Sequence, residues 1–264
     1  MTAKVQAVRV AALYDIHGNL PALDAVLSEI RQLGVDRIVI GGDVLPGPMP
    51  RETMARLLET GIPTQFIYGN GDLAVLAQLT ATDPTAVSYW GTTAGAPMPE
   101  PFREVIRWTA RQVTGYGEVL ASWPLALTVD IDRLGTVLFC HATPRNETEI
   151  ITRVTPEERL VPVFAGVDAS LVVCGHTHMQ FDRTVGTLRV VNAGSVGMPF
   201  GTTGADWLLL GPRIELRKTN YDTTAAAEIF RRTEYPMVEE MAVRFLLDPP
   251  AEKDLLAAWA TVEV

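Results

Sequence analysis

The first third of the chain alternates between two hydrophobic periods, and this alternation restricts the fold more than any other feature. Val8 to Tyr14 is a mostly apolar run that ends at Asp15. Leu20, Leu23, Val26, Leu27, Ile30 and Leu33 then recur at helical spacing, with Asn19 as cap, Pro21 in the first turn and Gly34 as the stop. A second strand, 37–40, ends at Gly41-Gly42-Asp43, and a helix around 51–60 stops at Gly61. A third strand, 65–68, runs into Gly69-Asn70-Gly71-Asp72. The order β-α-β-α-β predicts parallel strands buried on both faces. Ligands of such sheets gather beyond the carboxyl ends of the strands, where Asp15, Asp43 and Asn70 all fall.

The pattern breaks between about 73 and 122. Residues 91–101 are a loop by composition, flanked by helix-like segments, and the region reads as a helical insertion or cap. Trp90, Trp108 and Trp123 belong to it. They are expected to form its own small core, the alternative being that one or two face a substrate. Strands return at 125–131, 136–140, 171–174 and 188–191, followed by a hairpin over 207–216 with Gly211-Pro212 at its turn. The tail, 223–264, reads as helices broken by Asp248-Pro249-Pro250. The expectation is one α/β domain over 1–264, carrying the insertion at 73–122 and the C-terminal helices. Tail residues Leu255, Leu256 and Trp259 fit a helix packed on its own domain, or else a partner or homodimer contact.

Hydrophobic residues make up 47% of the 264, enough for a sizeable core. The net charge of −9 argues against long nucleic acid as a partner, because backbone phosphates are bound through basic patches. A small phosphate substrate stays open, since a bound metal reverses the sign locally. The start, MTAKVQAVRVAALYD, has no apolar core of secretory length, and no stretch is apolar enough for a membrane span. The two cysteines, Cys140 and Cys174, suit a reducing compartment, so a cytoplasmic location is expected.

All four histidines (His17, His141, His176 and His178) sit just past the ends of predicted strands. Asp15-Ile16-His17 and His176-Thr177-His178, taken as extended chain, would put both side chains of each pair on one face, because the strand period is two. Together with Asp43 and Asn70 they mix carboxylate, amide oxygen and imidazole, a set suited to Mn, Fe, Co, Ni or Zn. Seven ligands are too many for one such ion and about right for two sharing a bridging carboxylate. Two ions about 3.5–4 Å apart are the arrangement that holds a bridging hydroxide and clamps a phosphoryl group. Cys140 and Cys174, each just before a ligand, are expected to point the other way, as buried strand residues.

The ordered series Asp15-Ile16-His17, Gly42-Asp43, Gly69-Asn70-Gly71-Asp72, Cys140-His141 and Gly175-His176-Thr177-His178 resembles the calcineurin-like metallophosphoesterases. The resemblance covers roughly 8–215, loosely over 73–122. It implies a four-layer α/β/β/α sandwich with a dimetal site at the strand ends. Carried over by motif, Asp15, His17 and His178 would bind one divalent ion, Asn70, His141 and His176 the other, and Asp43 would bridge. Asp43, Asn70 and His141 would then serve catalysis by positioning metal and hydroxide. Of the metals, Mn is favoured, with Fe, Zn, Ni or Co as alternatives. Asn192-Ala193-Gly194-Ser195 resembles the family's Asn-Pro-Gly-Ser turn, with alanine in place of proline.

Lesser candidates are Asn19, a phosphate contact or a helix cap, and Arg145, a phosphate or base contact or a solvated loop residue. Many relatives carry histidine where Gly71 stands, beside the leaving group. A proton donor there is typically worth about 10²–10⁴-fold. Its absence points toward phosphodiesters, including strained 2′,3′-cyclic nucleotides, whose leaving groups need little help. The alternatives are a phosphomonoesterase or dinucleoside-polyphosphate hydrolase, and, from another class, a non-catalytic scaffold. The intact ligand list weighs against the last.

Overall fold

The computed structural model describes residues 8–83, 98–260 and 262. Most of the loop expected at 91–101, together with Trp90, lies outside the described residues.

The chain opens with β1 (Val10–Leu13), α1 (Leu20–Leu33), β2 (Arg37–Ile40), α2 (Pro50–Leu58) and β3 (Thr64–Phe66). Asn19 caps α1 by accepting from the Ala22 N–H at 3.1 Å, and Gly34 ends it at φ 62°. β1, β2 and β3 are parallel, as the alternation predicts. Next come α3 (Asn70–Thr80), α4 (Glu100–Gln112) and α5 (Gly117–Ala121). The expected insertion was placed from residue 73, but α3 begins inside the Gly69-Asn70-Gly71-Asp72 motif itself. Gly69 is the N-cap, and Asp72, on the first turn, accepts the Gly69 N–H at 3.0 Å. The motif is therefore a helix start rather than a turn between elements.

The second half runs β4 (Ala126–Ile131), β5 (Gly135–Cys140), α6 (Glu157–Leu160), β6 (Leu171–Cys174), β7 (Phe181–Val185), β8 (Leu188–Asn192), β9 (Ala205–Leu210) and β10 (Ile214–Thr219). The first sheet has the order β10-β9-β1-β2-β3 and the second β4-β5-β6-β8-β7. The hairpin expected at Gly211-Pro212 is β9–β10. β7 escaped the sequence reading. It is an edge strand whose middle residues, Asp182, Arg183 and Thr184, are polar and only its ends are buried, so it lacks an apolar run.

The two sheets pack face to face. Val10, Ala12 and Tyr14 alternate toward Val137, Phe139 and Val173 of the second sheet, while Ala11 and Leu13 face α1. The Tyr14 hydroxyl donates to the Val173 carbonyl at 3.0 Å, tying the sheets together beside the site. The outer face of the second sheet is covered by α6 and nearby loops through Ile151, Leu160 and Phe164. This completes the four-layer α/β/β/α arrangement that the resemblance implies.

The tail forms α7 (Thr223–Phe230), a π-helical turn at Glu239–Val243 leading into α8 (Arg244–Leu247), and α9 (Glu252–Trp259) beyond the two prolines. Its apolar residues Ala227, Phe230, Tyr235 and Leu246 pack on Val105 and Trp108 of α4. Among the described residues, no helix is long and apolar enough to cross a membrane.

Candidate metal centre

The loops after β1 and β2 run side by side past the sheet. Asp15 N–H donates to Gly42 O at 3.0 Å, His17 N–H to Asp43 O at 3.0 Å and Gly18 N–H to Val44 O at 2.9 Å. Within this ladder the backbone is left-handed at Asp15 (φ 53°), His17 (47°) and Asp43 (50°), and across the cleft at His176 (65°) and His178 (56°). Each such non-glycine residue costs on the order of 1–3 kcal/mol and persists only where its surroundings enforce it. The expectation of extended Asp-X-His and His-X-His segments is corrected here. The paired side chains do converge, but through left-handed positions at both ends of each pair rather than through strand periodicity.

Two groups of ligating atoms result. Asp15, His17 and His178 form one, and Asp43, His141 and His176 the other, each with its atoms within 4.8 Å of one another. Asp15 Oδ1 lies 3.2 Å from His178 Nε2, and His17 Nε2 lies 3.2 Å from His178 Nε2. Asp43 Oδ2 stands between the groups, 3.8 Å from His17 Nε2 and 3.6 Å from His141 Nε2. The end of the Asn70 amide that faces the histidines is 3.2 Å from His141 Nε2 and 2.9 Å from His176 Nδ1. All seven expected ligands therefore meet in one place.

The donor set fits divalent cations. Nδ1 of His141 lies 2.9 Å from Gly41 O, that of His178 2.9 Å from Met198 O and that of His17 3.3 Å from Pro46 O. A carbonyl only accepts, so each Nδ1 carries the proton and each Nε2 turns a lone pair inward. Those lone pairs converge on two carboxylates, and Asp15 Oδ1 is buried without a hydrogen-bond partner. Such a nest of acceptors is stable only around positive charge.

The ionisation preferences show the same demand for positive charge, which a proton on His141 meets where a cation does not. Burial disfavours a charged His141 ring, but Asp43 and then Asp15 outweigh it and hold the ring up at about 10. Burial and the neighbouring His141 push His176 down to about 4. Asp43 is held low: burial works against its charge, and His141 and His17 overcome it.

Gly71 sits where two stretches of backbone approach closely. A Cβ at this position would stand 2.2 Å from Leu45 O, 2.9 Å from Pro46 Cδ and 3.1 Å from Asp43 Oδ1. The space is filled by the loop after β2, so a side chain at this position would have to displace that loop. The Gly71 N–H donates to Asp43 Oδ1 at 2.7 Å, which leaves Oδ2 for the histidines. Asp72 is a supporting residue, accepting from Leu45 N–H at 3.0 Å as well as from Gly69. Burial and Asp43 push it up to about 8, against those two donors.

Asn19 takes the helix-cap role, the other reading offered for it. Its oxygen caps α1, and its amide donates to Gly197 O at 2.9 Å and Tyr221 Oη at 3.0 Å. Arg145 pairs with Glu149, Nε to Oε2 at 3.3 Å, instead of reaching into the site. Cys140 and Cys174 are free, buried and on the far face of their sheet. In the Asn192-Ala193-Gly194-Ser195 turn, Ala193 N–H donates to Cys174 O at 2.8 Å, a bond that proline would forgo. Ser195 Oγ donates to Asp15 O at 2.7 Å and so supports the first ligand.

A cavity of about 430 Å³ opens over the centre. Trp108 and Trp123 take no part in it. Trp108 packs edge-on to Tyr235, and Trp123 stacks on Phe66. The walls come instead from Phe102, Val105 and Ile106 of α4, from Met198 and from Tyr235 of the tail. The sequence reading missed these, because apolar residues at helical spacing look the same whether they face a core or a cavity. Phe200 packs between His178, at 5.1 Å, and Trp259, at 6.2 Å, so α9 rests on its own chain behind a candidate ligand.

Residues 8–210 match the model of the calcineurin-like phosphoesterase superfamily domain. An uncharacterized protein of Methanocaldococcus jannaschii is 27% identical over 248 residues, which span 86% of this chain and 93% of the other. Among solved structures, a hypothetical protein from Pyrococcus horikoshii aligns with a TM-score of 0.75 and 21% identity, covering 89% of this chain and 97% of its own. A metallophosphoesterase from Sphaerobacter thermophilus aligns with a TM-score of 0.65 and 23% identity, covering 92% and 100%. At such identities the two structures speak for the fold alone.

Proposed function

Because the chain belongs to the calcineurin-like phosphoesterase superfamily, we propose that it is a dimetal phosphodiesterase, with 2′,3′-cyclic nucleotides among its candidate substrates. Asp15, His17 and His178 would hold one divalent ion and Asn70, His141 and His176 the other, with Asp43 shared between them and Mn favoured at both. Two such ions would supply a water of lowered pKa and positive charge against a phosphoryl group. The chain's part is to aim the ligands. Backbone carbonyls of Gly41, Met198 and Pro46 fix three imidazoles, and the Gly71 N–H fixes Asp43. The attacking oxygen is assigned to that water of lowered pKa, so the chemistry asks for no side-chain nucleophile.

Gly71 carries the choice of diester. The residue after Asn70 has no side chain to protonate a leaving group, and Leu45 O and Pro46 occupy the space one would need. An alkyl monoester, with its poor leaving group, loses most from that; a diester with an acidic leaving group or a strained ring loses least. With Mn²⁺ added, kcat/KM for bis-p-nitrophenyl phosphate should exceed that for p-nitrophenyl phosphate. A clear monoester preference would sink the diester reading. His176→Ala should abolish turnover and lower the bound metal from two ions toward one. If the purified protein takes up no divalent metal and loses nothing in His176→Ala, the chain is a scaffold instead.

A further inference from the structure

The cavity over the metal centre is divided in its chemistry. Its floor is made of the candidate ligands, and above them the described lining is apolar except for Thr148 and the Tyr235 hydroxyl. No lysine or arginine lines it among the described residues. Residues 84–97, beside this wall in sequence, contain neither.

Four cations close to the wall in sequence, on α4 and after β5, are already engaged. Arg103 Nε donates to Met98 O at 2.7 Å, Arg107 pairs with Glu104 at 3.1 Å and Arg111 with the same carboxylate at 3.1 Å. Arg145 is held by Glu149. A second phosphate or carboxylate on the substrate would therefore be buried against hydrocarbon without a counter-charge, which is costly. Phosphate recognition in proteins relies on the fork of arginine or the point charge of lysine, and the wall has neither. The volume of about 430 Å³ is that of a small-ligand site rather than of an open groove.

Resting on the phosphodiesterase reading, but favouring an acyclic diester over a cyclic nucleotide, we propose that the substrate is a phosphodiester whose second ester arm is uncharged and apolar or aromatic. That arm packs on Phe102, Val105, Ile106, Met198 and Tyr235, while the phosphoryl group meets the metal floor. Two separate parts of the chain, α4 and the segment ahead of α8, supply this wall and pack on each other through Val105, Trp108 and Tyr235. The apolar arm is thus selected by a joint surface of cap and tail. Substrates with further charge, such as nucleoside polyphosphates, are excluded by the same wall.

The test is binding, read apart from turnover. Diphenyl phosphate and dimethyl phosphate carry the same phosphoryl charge, and their affinities for the Mn²⁺-loaded protein can be compared by calorimetry. Burying aromatic surface should favour diphenyl phosphate about tenfold or more. Phe102→Ala should remove most of that preference and Phe102→Leu should restore part of it, with circular dichroism confirming that both variants are folded. Equal affinities, or tighter binding of ADP than of diphenyl phosphate, would overturn the proposal. Hydrolysis of p-nitrophenyl diesters with methyl and phenyl arms at the same kcat/KM would also overturn it while leaving the phosphodiesterase reading intact. Preferential binding of diphenyl phosphate without hydrolysis of any diester would leave the apolar wall standing and remove the phosphodiesterase reading.

Discussion

At Gly71 a Cβ would stand 2.2 Å from the Leu45 carbonyl oxygen, so Gly71→Ala forces either α3 or the loop after β2 to retreat. That loop carries Asp43, whose Oδ1 accepts the Gly71 N–H, so overpacking and loss of that carboxylate's alignment arrive together. The substitution should cost about 1–3 kcal/mol by denaturant unfolding and weaken metal uptake in the same protein. A variant as stable and as metal-rich as the parent would show that the loop gives way freely. Asp72→Asn probes the same junction from the other side. The carboxylate accepts two backbone N–H groups, from Gly69 and Leu45, and an amide can accept only one of them. The second N–H, left buried and facing an NH₂, should cost about 1–3 kcal/mol. The ligands themselves were legible in the sequence because their chemistry shows in residue type. Their left-handed backbone was not, since φ at an aspartate or histidine leaves no mark in composition.

Among elements, the legible ones obey one period cleanly. α1 carries its cap, its proline and its terminal glycine, and β1 is an unbroken apolar run, so both stood where expected. β7 did not, because a polar edge strand pairs through its backbone while its side chains resemble a loop. The cavity wall on α4 was hidden for the opposite reason, its pattern being that of any amphipathic helix. The joint between α1 and β10 was also invisible, being a long-range contact. Glu29 of α1 accepts from Arg217 at 2.6 Å and from the Thr219 hydroxyl at 2.5 Å on β10. Burial opposes the charge, but these partners prevail and hold the Glu29 carboxyl below its ordinary value. A lowered carboxylate stabilises the fold above its unfolded pKa, and that contribution is lost as pH falls through the folded value. Glu29→Gln should therefore lower Tm by about 1–3 °C at neutral pH, a modest effect because the pair is part-exposed and screened. The difference from the parent should shrink below about pH 4. A gap that widened on acidification would contradict the assignment.

The whole molecule is organised so that neither sheet owns the metal centre. Asp15, Asp43 and Asn70 follow strands of the first sheet, while His141, His176 and His178 follow strands of the second. Between the sheets lies an apolar interface, crossed at the site's edge by the Tyr14–Val173 hydrogen bond. This division explains why the site could be read from short motifs while the fold around it could not be fully drawn. Each motif ends a strand, but which strands become neighbours depends on packing across the interface. It also makes metal binding a global event. Ions held by ligands from both sheets would bind the folded chain and find no preformed site in the unfolded one. Binding therefore adds about 2.7 kcal/mol when free metal is a hundredfold above Kd. For a chain of this length that raises Tm by about 5 °C or more. The measurement is a calorimetric melt of chelator-stripped protein titrated with Mn²⁺. Tm should climb with the logarithm of free metal and fall back when chelator is restored. His176→Ala and His178→Ala, one from each cluster, should each remove only part of the rise, because each leaves the other cluster's ligands in place. A Tm indifferent to metal in the parent protein would mean that these acceptors do not hold cations across the interface.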